Sequence, residues 1–419
     1  MSYRIAFAAL LSLTLCFYLF SSAFLDTTKN IWHSFTNAAT GARVPDFSHF
    51  PPQPRTLSAV EFPINAPGKR VLIVGDLHGM YDPFRALLDK LDYKPASDTL
   101  IHVGDIVAKG PHHGSMNVLK YMASHNITGV RGNHDQKVIE WRAWLDWINQ
   151  TNGGALWLAE LHAAAEEEDP DDPEEWAEKR LKNDRTRWSK KIPDGWKLLS
   201  DHYRVARDMS ASDFRYISSL PLALHAPQAH VLIAHAGILP SDPNYKPSHR
   251  RQPLARIPSL PAGLDTPDDK IATLRRLQEA ALFTKVPQNT DPWVTLNMRG
   301  VLDDNTVTRG KKGTPWAEIW NRDMGNCAGF DPKHRFEARP SKDELPCFPA
   351  TVVYGHAASR GLDVNRHSVG LDSACVTGHR LSALVVDAKL QNTPPLEVRK
   401  KKTIQFGEGS AQIIDVKCD

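Results

Sequence analysis

The sequence has little cysteine and almost no excess of either charge. Five of its 419 residues are cysteine, and the formal net charge at pH 7 is only +3. A charge balance of this kind describes an ordinary protein surface and gives no footprint of nucleic-acid binding. A chain of this length can form one large domain with insertions, or two domains. Length and composition therefore name no function, and the information lies in short motifs.

Long uncharged runs are also scarce, but one lies near the N-terminus. Residues 5–25 carry no charge and follow Arg4. As an α-helix this run would be about 31 Å long, which is enough to cross a bilayer. We predict a transmembrane anchor with a cytoplasmic tail of residues 1–4 and a lumenal main domain, in a single-pass type II arrangement. The competing interpretation is a cleaved signal peptide, since Ser21 and Ala23 form a small-x-small site.

Residues 26–68 are rich in proline and small polar residues and have no hydrophobic period, which predicts a stalk. The chain from residue 69 to 419 is then the main domain. We expect a helical insertion at about 140–207 and a loop insertion at about 240–348 within it. Two helix starts are signalled by a capping residue followed by proline, at Asp82-Pro83 and at Thr266-Pro267.

Three blocks in the first part of this domain share one pattern. Each is a short apolar run that ends in a glycine beside a carboxylate, an amide or an imidazole. The blocks are Val71-Leu-Ile-Val-Gly-Asp-Leu-His-Gly79, Leu100-Ile-His-Val-Gly-Asp-Ile-Val-Ala-Lys-Gly-Pro111 and Gly129-Val-Arg-Gly-Asn-His-Asp135. Amphipathic segments of helical length separate them, which predicts the order β-α-β-α-β. Because parallel strands have their carboxyl ends at one edge of a sheet, the polar residues should converge in one crevice.

The converging residues are suited to metal ions. They are Asp76, His78, Asp105, Asn133 and His134. Oxygen donors mixed with imidazole, without thiolate, are typical of a hydrolytic site for Zn, Mn or Fe. A carboxylate between two such ions can bridge them at about 4 Å, and the pair then activates water and neutralises a phosphoryl oxygen. Asp105 is central in the set and is the expected bridge.

In this order, the Gly-Asp-x-His-Gly, Gly-Asp-x-Val and Gly-Asn-His-Asp blocks resemble the calcineurin-like metallophosphoesterases of the phosphoprotein-phosphatase superfamily. Two later blocks extend the resemblance over roughly residues 70–384, since each is an apolar strand that delivers one histidine to a glycine-containing turn. They are Val231-Leu-Ile-Ala-His-Ala-Gly237 and Thr351-Val-Val-Tyr-Gly-His-Ala357. The resemblance implies an α/β fold: a β-sandwich of two mixed sheets flanked by helices, here with the N-terminal transmembrane helix.

The resemblance also implies a role for each matched residue. The first of two divalent ions (Zn, Mn or Fe, with Zn favoured) would take Asp76, His78 and Asp105. The second would take Asp105, Asn133, His235 and His356. His134 matches the general acid that protonates the leaving oxygen. Every matched position holds a competent residue, which disfavours the rival interpretation of a membrane-anchored binding protein without catalysis.

One departure from the family pattern bears on the substrate. Protein phosphatases of the superfamily have Asp-Arg-Gly after Gly-Asp-x-Val, whereas this sequence has Ala108-Lys109-Gly110. Lys109 therefore stands where an arginine grips the phosphoryl group, and a lysine offers a point charge instead of a planar fork. The missing aspartate leaves His134 without an assigned partner.

Other runs point to phosphoanhydrides. Residues 104–111, His235-Ala-Gly-Ile238 and Gly370-Leu-Asp-Ser-Ala-Cys375 are similar to bacterial diadenosine tetraphosphate hydrolases, whose eukaryotic relatives include fungal vacuolar, membrane-anchored, zinc-dependent endopolyphosphatases. The resemblance therefore implies inorganic polyphosphate as substrate and the vacuole as location. A dinucleoside polyphosphate hydrolase and a serine/threonine protein phosphatase are the alternatives.

Two further features belong to the same interpretation. Arg299 lies between the last two ligand blocks and is a candidate phosphate clamp, the alternative being an exposed arginine without a role. Cys327, Cys347, Cys375 and Cys418 would face an oxidising lumen, and four cysteines allow three pairings.

Overall fold

The computed structural model describes residues 44–51, 54–184, 186–329, 343–392 and 402–418. The predicted transmembrane anchor, residues 5–25, and the predicted cytoplasmic tail lie outside the described residues. Within the described ranges, no helix is both long enough and apolar enough to span a bilayer. The chain divides into two compact units. The larger comprises residues 47–169 and 199–419, and the smaller includes residues 170–198, which contain the α-helix Pro173–Lys182.

Two six-stranded sheets and one small sheet form the framework of the larger unit. The first sheet has the order β1 (Arg55–Thr56), β5 (Ala223–Ala226), β6 (Val231–Ala234), β10 (Thr351–Tyr354), β12 (Ser368–Gly370) and β11 (Asp363–Val364). The second has the order β14 (Thr403–Phe406), β15 (Gly409–Lys417), β13 (Arg380–Asp387), β2 (Arg70–Val74), β3 (Asp98–His102) and β4 (Thr128–Gly129). The small sheet has the order β8 (Val307–Thr308), β7 (Gly300–Val301) and β9 (Thr314–Pro315).

Both large sheets are mixed, in agreement with the predicted fold class. Strands β2, β3 and β4 pair in parallel, and so do β6, β10 and β12. Strands β13 and β5 run antiparallel to their neighbours β2 and β6. One buried cluster takes Ile73 from the second sheet and Ile233 and Val353 from the first, so the two sheets share a core. Continuous apolar runs of this kind are expected of strands that are covered on both faces.

Helices of the larger unit pack against its sheets, whereas the helix Pro173–Lys182 belongs to the smaller unit. Those of the described residues are α1 (Tyr81–Lys90), α2 (His112–Ser124), α3 (Asn133–Gln150), α4 (Gly154–Glu168), α5 (Pro173–Lys182), α6 (Asp201–Asp208), α7 (Ala211–Ser219), α8 (Pro267–Lys285), α9 (Pro292–Asn297), α10 (Trp316–Gly325) and α11 (Ala388–Gln391). Helices α4 and α5 lie in the range 140–207 where we predict a helical insertion, and α6 ends one residue beyond it.

One of the two predicted helix starts is correct. Thr266 caps α8, because its side chain accepts a hydrogen bond from the backbone N–H of Asp269. Asp82 does not cap α1, which begins at Tyr81 after Met80 and has no side-chain cap. Pro83 therefore occupies the third helical position, where its missing N–H still falls among the first-turn groups that lack a partner within the helix.

The predicted stalk ends earlier than residue 68. Strand β1 pairs in parallel with β5, and the side chains of Leu57 and Phe62 are buried in the core between the sheets. These apolar residues are spaced irregularly, so that no period signalled their burial. The part of the predicted stalk before residue 44 lies outside the described residues.

The predicted loop insertion at 240–348 contains α8, whose start was predicted at Thr266, and also α9, the small sheet and α10, which were not predicted. Trp316 and Trp320 of α10 are 1% and 0% exposed and belong to the core cluster beside β6 and β10. Burial of two indoles contributes a large apolar area, which stabilises this segment as part of the domain.

Two disulfide bonds close loops in the larger unit. Cys327 pairs with Cys347 over a sequence separation of 20, and Cys375 pairs with Cys418 over a separation of 43. The structure thus selects one of the three pairings that the sequence allows. The second bond ties the segment after β12 to the end of β15.

Candidate metal centre

The predicted ligands meet at the carboxyl ends of strands from both large sheets. Asp76 follows β2, Asp105 follows β3, His235 follows β6 and His356 follows β10. The side chains form two groups whose ligand atoms lie within 4.8 Å of one another, and these are Asp76 with His78 and Asp105, and Asp105 with His235 and His356. Asp105 belongs to both groups, as a bridging ligand must.

Interatomic distances place Asp105 between the two groups. Its Oδ2 lies 3.6 Å from His78 Nε2 and 3.3 Å from His235 Nε2. Asn133 joins the second group, since its Oδ1 lies 3.1 Å from His235 Nε2 and 2.9 Å from His356 Nδ1. The structure therefore brings together all six residues that the sequence predicts as metal ligands.

Unusual backbone conformations aim these side chains into the crevice. His78, Asp105 and His356 have φ angles of 46°, 49° and 67°, which non-glycine residues rarely adopt. Such conformations persist only where the surrounding structure holds them, and they cluster at functional sites. The close approach of the backbone also requires a glycine, because a Cβ on Gly355 would lie 2.0 Å from Asp76 Oδ1.

Neighbouring backbone groups fix the orientation of the ligands. His235 Nδ1 lies 2.9 Å from the carbonyl oxygen of Val103, which leaves Nε2 directed at Asp105. Asp135 accepts hydrogen bonds from the backbone N–H groups of Gly132 and Ile106 at 2.9 and 3.0 Å. These contacts lock the loops that carry the ligands, as outer contacts do around metal sites.

The electrostatics of the crevice fit bound cations. Asp76, Asp105 and Asp372 are 4%, 2% and 5% exposed, so three carboxylates share a buried site. Burial raises the pKa of Asp76 well above its usual value, and the charge of Asp372 raises it further. Burial also acts on Asp105, but the His235, His134 and His78 imidazoles outweigh it and hold the pKa of Asp105 well below its usual range. Buried negative charge is costly without positive partners.

Three buried side-chain atoms at this site lack a hydrogen-bond partner among the described residues. They are Asp76 Oδ1, His78 Nδ1 and His356 Nε2. Buried polar atoms are almost always partnered, so their concentration here indicates that something else satisfies them. Carboxylate, amide and imidazole donors fit two hard or borderline divalent ions, and the residues present therefore suit a dinuclear centre.

Asp372 is a site residue that the sequence analysis missed. It follows β12, and its Oδ1 accepts a hydrogen bond from the backbone N–H of Ala374 at 3.2 Å. The signal was present, because Asp372 ends an apolar strand within the run 370–375. It lacks the glycine immediately before the carboxylate, which marks Asp76 and Asp105.

His134 lies beside the centre and has partners of its own. Its backbone N–H donates to Asp105 Oδ1 at 2.8 Å, and its Nδ1 lies 2.7 Å from His202 Nε2. His202 Nδ1 in turn lies 2.8 Å from Asp201 Oδ1. Burial lowers the pKa of His134 to about 2, and the nearby Lys109 contributes to the lowering. Asp201 and His202 carry no strand-and-glycine pattern, so the sequence did not identify them.

The two predicted phosphate-binding cations lie at different parts of the centre. The charge of Lys109, which is exposed, adds to the effect of burial in lowering the pKa of His78. Arg299 is half-buried, and its charge acts on His356, whose pKa burial lowers to about 3 with contributions from His235 and Arg299. The charge of Lys109 therefore acts on His78 of the first group, and that of Arg299 on His356 of the second.

Part of the chain is similar in sequence to known proteins. Residues 69–217 match the family model for calcineurin-like phosphoesterases. Over 65 residues the chain is 48% identical to the symmetrical bis(5'-nucleosyl)-tetraphosphatases of Escherichia coli and Shigella boydii. This stretch is 15% of the present chain and 22% of those relatives.

Two solved structures are similar over most of the chain. One, provisionally described as a diadenosine tetraphosphatase, has 23% sequence identity and a TM-score of 0.43, and the match covers 87% of this chain and 96% of that one. The other is a protein serine/threonine phosphatase from Saccharomyces cerevisiae with 14% identity and a TM-score of 0.33, covering 84% of this chain and 81% of that one.

Proposed function

We propose that the chain is a dinuclear metal-dependent phosphohydrolase that cleaves phosphoanhydride bonds, since residues 69–217 match the family model for calcineurin-like phosphoesterases. The observation that carries this proposal is the position of Asp105 in both groups of ligands. Two divalent ions held there would supply activated water and neutralise charge on the phosphoryl group. Zinc, manganese and iron all suit the donor set, and we propose zinc.

The chain's own residues would bind the phosphoryl group and deliver a proton. Lys109, whose charge acts on His78, and Arg299, whose charge acts on His356, would hold phosphoryl oxygens. His134 would give a proton to the departing oxygen, since its ring lies beside that of His78, with centroids 5.2 Å apart. Positioned proton donors of this kind contribute about 10²- to 10⁴-fold to a rate.

The proposed substrate is a polymer of phosphate, cleaved within the chain. Ala108 replaces the carboxylate that supports the general acid in protein phosphatases, and a phosphate leaving group is a weak base that needs little protonation. The small sheet that begins after Arg299 also presents Arg309, Lys311 and Lys312 at the surface, where they would hold flanking phosphates. The turn between β7 and β8 carries Asp303 and Asp304, whose negative charge would repel a polyanion. The basic loop 309–313, between β8 and β9, is therefore the side that would face the polymer.

A dinucleoside polyphosphate is the second candidate substrate. The stretch shared with the bis(5'-nucleosyl)-tetraphosphatases favours it. Trp293 favours it too, because this side chain is 42% exposed in α9, which ends two residues before Arg299. An exposed indole near a phosphate site offers a stacking surface to a nucleobase.

The proposed location is the lumen of the vacuole, with residues 5–25 as a type II anchor. The two disulfide bonds support an oxidising compartment, because they are rare in proteins of the cytosol. The membrane would then be a partner through the anchor.

A chain-length assay tests the function. Purified protein is incubated with inorganic polyphosphate and a divalent metal, and the products are separated on a gel. The proposal predicts progressively shorter chains, slower shortening for Lys311→Ala combined with Lys312→Ala, and unchanged shortening for the control Lys285→Ala at the end of α8. Release of terminal phosphate alone would contradict internal cleavage. Faster hydrolysis of a phosphoserine peptide than of any anhydride would replace the proposal with a protein phosphatase.

A further inference from the structure

Asp201 and His202 form a pair that the metal centre itself does not require. Resting on the proposed phosphohydrolase function, we infer that Asp201 and His202 are positioning residues for His134. They take the role of the aspartate that protein phosphatases carry at the place of Ala108. The carboxylate is therefore supplied from α6 through an imidazole, instead of directly from the loop after β3.

The contacts form a continuous series. Asp201 Oδ1 lies 2.8 Å from His202 Nδ1, and His202 Nε2 lies 2.7 Å from His134 Nδ1. The two imidazole rings are stacked, with centroids 5.0 Å apart and an interplanar angle of 19°. The His202 side chain is only 14% exposed, so its ring has little freedom to turn away.

Both ends of the series are anchored. Asp201 Oδ2 accepts the backbone N–H of Lys109 at 2.6 Å, and Asp201 lies in the first turn of α6, where the helix dipole favours a carboxylate. The backbone N–H of His134 donates to Asp105 at 2.8 Å. The loop 108–110 carries Ala108 in place of the supporting aspartate. The backbone of the same loop orients Asp201, the carboxylate that takes over that role.

This arrangement assigns the two nitrogens of His134. Because ionised Asp201 only accepts, His202 Nδ1–H donates to it, and His202 Nε2 accepts from the Nδ1–H of His134. The proton given to the leaving oxygen is then the one on Nε2 of a doubly protonated His134, whose ring is left as a neutral imidazole. A fixed partner on one ring nitrogen holds both the orientation and the tautomer of an imidazole. An imidazole polarises His134 less strongly than a carboxylate in direct contact would. His134 is then a less effective proton donor than in the protein phosphatases, which agrees with the proposed preference for weakly basic leaving groups.

The test compares two aryl phosphates that differ in the basicity of the leaving group. On phenyl phosphate, whose leaving group needs protonation, His202→Ala and Asp201→Asn should lower kcat about 10- to 100-fold with little change in KM. On 4-nitrophenyl phosphate the loss should be smaller than about threefold, because that leaving group departs without help. Metal content should stay the same, since neither residue is a ligand.

His162→Ala is the matched control. His162 Nε2 lies 2.6 Å from the hydroxyl of Tyr203 on α6, so this variant disturbs the same helix without touching His134. Its leaving-group dependence should match that of the wild type. An equal loss on both esters in His202→Ala, no loss on either, or a fall in metal content would overturn the inference.

A spectroscopic measurement separates this inference from the proposed function. In protein labelled with ¹⁵N-histidine, long-range ¹H–¹⁵N spectra should show His134 in one fixed hydrogen-bonded state in the wild type and in His162→Ala, and not in His202→Ala. If the wild type hydrolysed no phosphate compound, the proposed function would fail and this spectrum would still decide the pairing. An unchanged His134 signal in His202→Ala would exclude it.

Discussion

The backbone amide of His356 donates a hydrogen bond to Oδ2 of Asp76 at 2.9 Å, across a sequence separation of 280 residues. Asp76 follows β2 in the second large sheet, and His356 follows β10 in the first. The bond therefore connects the ligands of the two sheets directly. The metal centre is complete only when both sheets have formed and packed together.

The first prediction separates a ligand from a proton donor. Asp105→Asn removes the shared carboxylate, so it should abolish hydrolysis and lower the number of bound ions below that of the wild type. His134→Asn should keep both ions and lose turnover of phenyl phosphate, whose leaving group needs protonation, by about 10²- to 10⁴-fold. Metal analysis of the purified variants, together with kcat, tests both. An empty site in the His134 variant would show that the two roles are wrongly assigned.

The second prediction concerns the residue that the sequence analysis missed. Asp372 adds negative charge beside Asp76, so Asp372→Asn should weaken metal binding about 10- to 100-fold, the usual effect of losing a supporting contact around a metal. Isothermal titration calorimetry of metal-depleted protein measures the metal affinity. The surface variant Asp363→Asn is not suitable as a control, because Asp363 bonds to Tyr354. Asp268→Asn at the start of α8 serves instead, and equal affinities in both variants would contradict a role for Asp372.

The third prediction concerns selectivity. Ala108 has a φ angle of 68°, a conformation that aspartate tolerates better than most residues, so Ala108→Asp should fold. A direct carboxylate partner for His134 would strengthen the general acid. The ratio of monoester to anhydride hydrolysis should therefore rise, measured with a phosphoserine peptide and polyphosphate at matched concentrations. A ratio that stays constant or falls argues against the role given to this position.

The fourth prediction ranks the disulfide bonds. The longer loop, closed by Cys375 and Cys418, should contribute about 4 kcal/mol to the free energy of unfolding, and the shorter, closed by Cys327 and Cys347, about 3 kcal/mol. Replacing each pair by serines and unfolding in guanidinium gives the two values. Peptide mapping without reduction should recover both linked pairs from the native protein. Recovery of four free thiols would show that the pairing does not form.

The parts of the site that could be predicted from sequence share a local signal. Asp76, Asp105 and His235 each end a run of apolar residues that is buried on both faces, and a strand followed by a polar residue places that residue at the edge of the sheet. The order of these runs also predicted the parallel pairing of β2, β3 and β4. The local pattern therefore predicted the central strands and the metal-ligating residues that follow them.

The parts that could not be predicted depend on tertiary contact. His202 meets His134 across 68 positions, and no spacing or composition announces such a pair. The burial of Leu57 and Phe62 likewise depends on the partner strand β5, which lies far along the chain. The start of α1 shows the same limit at short range. Asp82 was predicted to cap this helix, but the helix begins one residue earlier, at Tyr81.

The most direct test of the dinuclear site is metal reconstitution. Protein depleted of metal with a chelator is titrated separately with zinc, manganese and iron(II) while hydrolysis of polyphosphate is followed. The account predicts no activity in the depleted protein and full recovery at two ions per chain, with no recovery in Asp105→Asn at any metal concentration. Hydrolysis by the depleted wild-type protein, or full recovery at one ion per chain, would contradict it.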